Sequence, residues 1–209
     1  MRYFRHWTPR YAFDRVFDEL HRRTHPALPW LTPQANEILV TLLRRTDDGL
    51  EFGSGRSTIW LANRVHHLSS VEHDDGWHST VSAQLKEQRL QNVEYILAPQ
   101  DVPAERGGES EYASTALRFG DASLDFVLVD GAYRDFCVKF AIPKIKPGGV
   151  LVLDNINWYL PFNSRSPNSR TSVQGADGSV WAEVQQIIQN WRLIWTSSGV
   201  WDTAFFFKP

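Results

Sequence analysis

A chain of 209 residues with 22 Lys and Arg against 24 Asp and Glu, net charge −2, carries no field that would recruit nucleic acid or an anionic membrane. It has no apolar run approaching the roughly 18 residues of a membrane span, and Met1-Arg2-Tyr3-Phe4-Arg5-His6 lacks an apolar signal core. The single Cys137 excludes an internal disulfide and fits a reducing compartment, so a cytoplasmic protein with one well-buried core is expected.

Residues 1–48 read as a helical extension of the domain at 49–209 and not as a separate unit. A periodic segment from Tyr11 to about Arg23 places Phe13, Val16, Phe17 and Leu20 on one stripe. Pro26 and Pro29 end it. A second helix opens at Thr32-Pro33, a capping residue followed by proline in the first turn, and runs through Leu39 and Leu43 towards Gly49. Trp7, Tyr11 and Trp30 are candidates for a substrate-pocket wall, a homodimer contact or packing onto the sheet.

In Leu50-Glu51-Phe52-Gly53-Ser54-Gly55-Arg56-Ser57-Thr58, an apolar run breaks at small residues and resumes with helical spacing, predicting a strand, a tight loop and a helix. Gly53 and Gly55 let a ligand lie against backbone amides, and Ser57 or Thr58 can cap the helix. A second strand, Leu68 to Val71, ends at Glu72, 19 residues past Gly53. A carboxylate at about that distance accepts both ribose hydroxyl protons in nucleoside-binding α/β folds. The dinucleotide pattern needs a third glycine, which is missing, and the acids Glu51 and Asp130 at the strand mouths suit a cation and not a pyrophosphate.

This acid, spacer and Gly-x-Gly arrangement resembles the first motif of class I S-adenosylmethionine-dependent methyltransferases. The resemblance implies a site for S-adenosyl-L-methionine made by Glu51, Gly53, Ser54, Gly55, Ser57, Thr58, Glu72, His73, Trp77 and Asp130. Trp77 opens a helix running from Asp75 to Leu90, early enough to face the nucleoside, and His73 and His78 read as surface residues near the mouth. His66 and His67 are adjacent and would point to opposite faces of a strand, so they cannot chelate one ion together. A third strand covers Val93 to Leu97. In the family the loop after it borders adenine, which makes Ala98 and Gln100 further candidates.

Residues 100–120 read as a surface insertion with a short helix at Ser110 to Leu117. Leu124 to Asp130 is the unbroken apolar run of a central parallel strand, followed by a helix from Asp135 to Ile142. Cys137 lies in it as a buried thiol. Lys146-Pro147-Gly148-Gly149 turns into a strand at Val150 to Leu153, which finishes at Asp154-Asn155. The Ser-, Asn-, Pro- and Gly-rich segment 157–178 reads as a lid, whose Arg165 and Arg170 are either solvated or meet an anionic substrate group. A helix from Val180 to Asn190 precedes two last strands, Arg192 to Trp195 and Thr203 to Phe207, paired around Gly199. The predicted fold is α/β, a Rossmann-like doubly wound, mostly parallel seven-stranded sheet with a C-terminal antiparallel strand and an N-terminal helical extension.

Asp130, Asp154 and Asn155 end the fourth and fifth strands as three hard oxygen ligands, a set that suits magnesium. This resembles the metal-dependent O-methyltransferases, both catechol-type and antibiotic-sugar enzymes. Val129-Asp130-Gly131-Ala132-Tyr133 is similar to the Asp-Gly-x-His motif of the latter, with Tyr133 where histidine is usual. The resemblance covers residues 45–156 and implies methyl transfer to a hydroxyl of a small-molecule acceptor. Asp154-Asn155 also read as ordinary turn residues. Arg134 stands near the place where catechol-type enzymes have lysine and cannot act as a base. Tyr133, Asp130 or a metal-bound hydroxide remain as the proton acceptor. An NAD-dependent oxidoreductase and a non-catalytic methyltransferase-like binding module are the competing readings.

Overall fold

The computed structural model describes residues 8–209. Its seven strands follow the order β3-β2-β1-β4-β5-β7-β6. β1 (Asp48–Phe52), β2 (His67–Glu72), β3 (Val93–Leu97), β4 (Leu124–Val129) and β5 (Ile145–Asp154) run parallel. β7 (Asp202–Phe207) enters antiparallel between β5 and β6 (Arg192–Ser197), with which it forms the expected hairpin.

Helices cover both faces, as a parallel sheet requires. Along β4, Leu124, Val127 and Val129 pack on one side, while Phe126 and Leu128 pack on the other. The first side holds α5 (Glu111–Ser114), α6 (Arg134–Ala141) and α7 (Gly178–Ile188) through Tyr112, Val138 and Trp181. The second holds α2 (Pro33–Leu42) and α3 (Arg56–Ala62) through Leu39, Trp60 and Leu61. α4 (Asp75–Glu87) follows β2, capped by Asp74, whose Oδ1 accepts from Trp77 N at 2.6 Å. Cys137 is buried.

The extension differs from its hydropathy pattern. α1 (Pro9–Thr24) starts at the N-cap Thr8 and presents Phe13, Val16, Phe17 and Leu20 to solvent, each more than half exposed. Its inward face is polar. Asp18 is buried and accepts from Trp201 Nε1 at 3.1 Å, while the guanidinium groups of Arg15 and Arg22 lie over the Trp201 ring. Asp14 lies 3.6 Å from Arg165, which joins α1 to the segment following β5. An apolar stripe selects a helix; the charge and ring partners on the body select the face that docks.

Two other local expectations change in part, and in the segment read as a lid Arg170 has partners of its own. Residues 100–106 lie largely on the surface as expected, but from Ser110 the segment packs inward as the expected short helix, with Ser110, Tyr112, Ala113, Thr115 and Ala116 buried beside α6. Lys146-Pro147-Gly148-Gly149 lies within β5, where the pairing with β4 shifts register, and does not precede the strand as a turn. Residues 157–178 are tied down internally. Asn157 Nδ2 donates to Pro167 O at 3.1 Å, and Ser166 Oγ donates to Asp202 Oδ1 at 2.5 Å. Arg170 braces this segment through Asp177 at 2.8 Å and the carbonyl of Gly175 at 2.7 Å, so it is neither solvated nor free for a substrate.

Candidate active site

The parallel strands end on one rim of the sheet, and there the β1 and β4 turns touch backbone to backbone. Gly53 has φ +92°, and a Cβ on it would come within 2.7 Å of Gly131 N. Only glycine allows that approach. Above the contact opens a cavity of about 410 Å³, floored by Gly53, Ser54 and Asp130 and walled by Glu72, Trp77 and Trp30. Gly55, Ser57 and His73 also line it. Trp77 reaches back over the loop, its indole N–H donating to Ser54 O at 2.9 Å.

Glu51 lies under the loop, fully buried, and two hydroxyls donate to its Oε2 at 2.6 Å, those of Thr58 and Ser70. Its Oε1 has no hydrogen-bond partner. Burial pushes this carboxyl up to about 7, against the pull of the Ser57, Ser70 and Thr58 hydroxyls. The N-cap of α3 is Gly55, not Ser57 or Thr58. Thr58 sits at the third helical position and accepts from Gly55 N at 2.9 Å while donating to Glu51, which locks the loop to the acid beneath it.

At the end of β2, Glu72 Oε1 accepts from the amides of His73 at 2.8 Å and Asp74 at 2.9 Å. His73 Nδ1 lies 3.0 Å from the same oxygen, and the His78 ring stacks on Tyr95. Ala98 is fully buried and, like Gln100, does not line the cavity. Among the aromatic candidates of the N-terminal region, Trp30 lines the cavity, with the guanidinium groups of Arg22 and Arg56 each over its ring. Tyr11 sits in the first turn of α1, and Trp7 lies outside the described residues.

The acceptor end departs from the sequence reading. Tyr133 adopts a left-handed conformation before α6, and its ring turns into the core against Tyr112. Its hydroxyl donates to Val102 O and accepts from Val102 N, so it is a buried strut with no access to the cavity. Asp130 does line the cavity. Arg134, which sequence reasoning considered only as a failed base, fills the space among Asp130, Asp154 and Asn155. Its Nη2 donates to Asp130 Oδ1 at 2.8 Å, and its Nη1 donates to Asn155 Oδ1 at 3.3 Å and to Asp154 O at 2.5 Å. The Asp154 carboxyl accepts from Thr203 Oγ1 at 2.6 Å and lies beside the Asp130 carboxyl, not on the guanidinium. Burial raises both carboxyls against the pull of Arg134, and the neighbouring Asp130 helps push Asp154 up to about 8. No helical spacing in the sequence announced this pair, because Arg134 is the first residue of α6 and the left-handed turn at Tyr133 is what brings it back to Asp130.

A family model described as a methyltransferase domain matches residues 50–156, just over half of the chain. The chain belongs to that family. The sheet order and the glycine turn at the β1 mouth are those of a Rossmann-like S-adenosylmethionine-dependent methyltransferase fold. Similar solved structures agree on the fold. A Staphylococcus aureus protein named as a caffeoyl-CoA O-methyltransferase is 15% identical with TM-score 0.57, over 99% of this methyltransferase chain and 95% of that one. A Streptococcus mutans protein named as a methyltransferase and crystallised with SAH is 9% identical with TM-score 0.55, over 84% and 96%. A SAM dependent methyltransferase from Aquifex aeolicus is 13% identical with TM-score 0.52, over 94% and 97%. No curated protein matches the chain.

The methyltransferase's residues fit the two implied groups differently. A cavity against the glycine loop, with an unpaired carboxylate oxygen buried beneath it, suits a cationic nucleoside. The predicted magnesium ligands already surround an arginine. Among the described residues no cluster of three or more His, Cys, Asp or Glu side chains could hold a metal ion.

Proposed function

We propose that this protein transfers a methyl group from S-adenosyl-L-methionine to a hydroxyl oxygen of a small molecule. The observation that carries the reading is the position of Glu72 and Asp130 on one cavity whose floor is the Gly53 loop, with Glu51 buried beneath that loop. Bound there, the cofactor would supply an electrophilic methyl on a sulfonium. Above about pH 7, where its carboxyl is ionised, Glu51 offers negative charge under the loop for the cofactor's cationic end, and Glu72 offers carboxylate oxygens to the ribose. Gly53 and Gly55 leave the loop amides accessible, with Ser57 beside them and Thr58 holding the turn. Trp77 and Trp30 supply flat apolar walls that exclude water.

Asp130 stands at the floor as the candidate proton acceptor for an acceptor hydroxyl. Burial lifts its carboxyl above the ordinary range, which brings it nearer to the pH at which a general base is effective. Arg134 fixes its orientation at 2.8 Å. Holding acceptor and donor in line supplies much of the rate in such a transfer, so the walls matter as much as the base.

Calorimetric titration with S-adenosylmethionine, S-adenosylhomocysteine and NAD, followed by transfer of a labelled methyl group to a panel of hydroxylated small molecules, tests the reading. Binding of the two sulfur nucleosides and label in an ether product is the expected result. Binding of NAD alone would turn the reading to an oxidoreductase. Nucleoside binding with label on nitrogen or carbon would overturn the acceptor class.

A further inference from the structure

Arg134 offers five N–H donors, and the structure gives each an acceptor. Nε donates to Gly131 O at 3.0 Å, Nη1 to Asp154 O at 2.5 Å and Asn155 Oδ1 at 3.3 Å, and Nη2 to Asp130 O and Oδ1 at 2.8 Å each. Two of the five bonds go to side-chain oxygens assigned to a divalent ion, Asp130 Oδ1 and Asn155 Oδ1, and two more to the main-chain carbonyls of Asp130 and Asp154. The side chain is only 15% exposed, with the Tyr159 ring 5.9 Å away. An ion entering this space would have to expel the guanidinium from a nearly closed shell and leave it buried without its acid, a costly exchange.

We propose that Arg134 is the protein's own cation in the place of the expected metal, and that the acceptor end of the cavity is held in order by this guanidinium without a divalent ion. All five donors are engaged, so Arg134 is a positioning residue: it aims Asp130 at the cavity and joins the turns after β4 and β5, and it does not touch the acceptor. The catalytic consequence, methyl transfer unaffected by chelators, rests on the transferase reading. The structural claim does not.

The test is titration of the full chain with Mn²⁺, following the paramagnetic signal of the free ion. Wild type is expected to leave that signal unchanged up to millimolar ion. Arg134→Ala is expected to take up one Mn²⁺ at least about tenfold more tightly than wild type, and Arg134→Ala with Asp154→Asn is expected to lose the site. Arg134→Lys keeps a cation and is expected to stay ion-free. Uptake of Mn²⁺ by wild type that Asp130→Asn abolishes overturns the proposal, and this arm decides even where Arg134→Ala fails to fold. A folded Arg134→Ala that takes up no ion also overturns it, since the vacated oxygens would then not form an ion site. Failure of wild type to bind S-adenosylhomocysteine would sink the transferase reading and leave the ion result standing.

Discussion

Ser54 Oγ donates to Glu72 Oε2 at 2.7 Å, and the Ser54 amide reaches the same oxygen at 3.1 Å. The amides of His73 and Asp74 take the other oxygen, so the carboxylate meant for a ribose is already engaged by the protein. The Ser54 hydroxyl also lies 2.6 Å from the Tyr95 hydroxyl and can turn to it when a ribose arrives. Ser54→Ala should therefore bind S-adenosylhomocysteine at least as tightly as wild type by calorimetry. Glu72→Gln should weaken binding by about 1.5–3 kcal/mol, the worth of hydrogen bonds to a charged group. A large loss in Ser54→Ala with none in Glu72→Gln would place the ribose elsewhere.

The Gly53 and Gly131 backbones are in contact, so adding a methyl at Gly53 forces the β1 and β4 turns apart and strains a positive φ. Gly53→Ala should cost about 2–4 kcal/mol in urea unfolding. Gly120→Ala is the control, since nothing lies within 4 Å of its Cβ position and its φ is not positive. It should unfold with wild type.

Glu51 sets a pH dependence of stability. Its carboxyl is raised from 4.5 to about 7 in the fold. Between those values the unfolded chain gives up the proton while the native chain keeps it, so the native state binds more protons and stability falls as pH rises. The loss should run from about pH 4.5 to 7 and amount to about 3 kcal/mol, then level off. Denaturant midpoints measured across that range should show this slope in wild type relative to Glu51→Gln. An identical pH profile in the two proteins would mean that folding leaves the Glu51 carboxyl unshifted.

Tyr133 and Asp130 should separate cleanly in kinetics. Tyr133→Phe deletes a hydroxyl bonded to both backbone groups of Val102 and should cost about 1–3 kcal/mol of stability. Its turnover at a temperature where it is fully folded should stay near that of wild type. Asp130→Asn should lower kcat by about 100-fold or more if the carboxylate takes the proton. A collapse of kcat in folded Tyr133→Phe would restore the tyrosine to the chemistry.

The orientation of α1 predicts an inversion of the usual rule for helix faces. Phe17→Ser removes an exposed ring and should change stability by no more than about 0.5 kcal/mol. Asp18→Ala removes the acceptor of the Trp201 indole and the partner of Arg22 and should cost about 1–3 kcal/mol. Thermal unfolding of the pair checks this, and a larger loss in Phe17→Ser would mean that the apolar stripe docks instead.

The sequence by itself determined the elements and their order, because those follow from local rules. Thr32-Pro33 caps a helix wherever it lies, the apolar run at Leu124 to Val129 must be covered on both faces, and Gly53 and Glu72 sit at a separation set by one βαβ unit. It also determined that acids gather at the strand mouths. What only the tertiary structure decided was which partner each polar group meets. The same Asp130, Asp154 and Asn155 read as ion ligands when counted along the chain, yet the left-handed turn at Tyr133 brings Arg134 into their midst. Tyr133 lies one residue from Arg134 and faces the core, because the left-handed turn that brings Arg134 inward sends its neighbour the other way. The α1 stripe faces water for a similar reason. Hydropathy measures the tendency of a face to leave water, but docking is settled by shape and charge complementarity to a surface assembled from residues nearly 200 positions away.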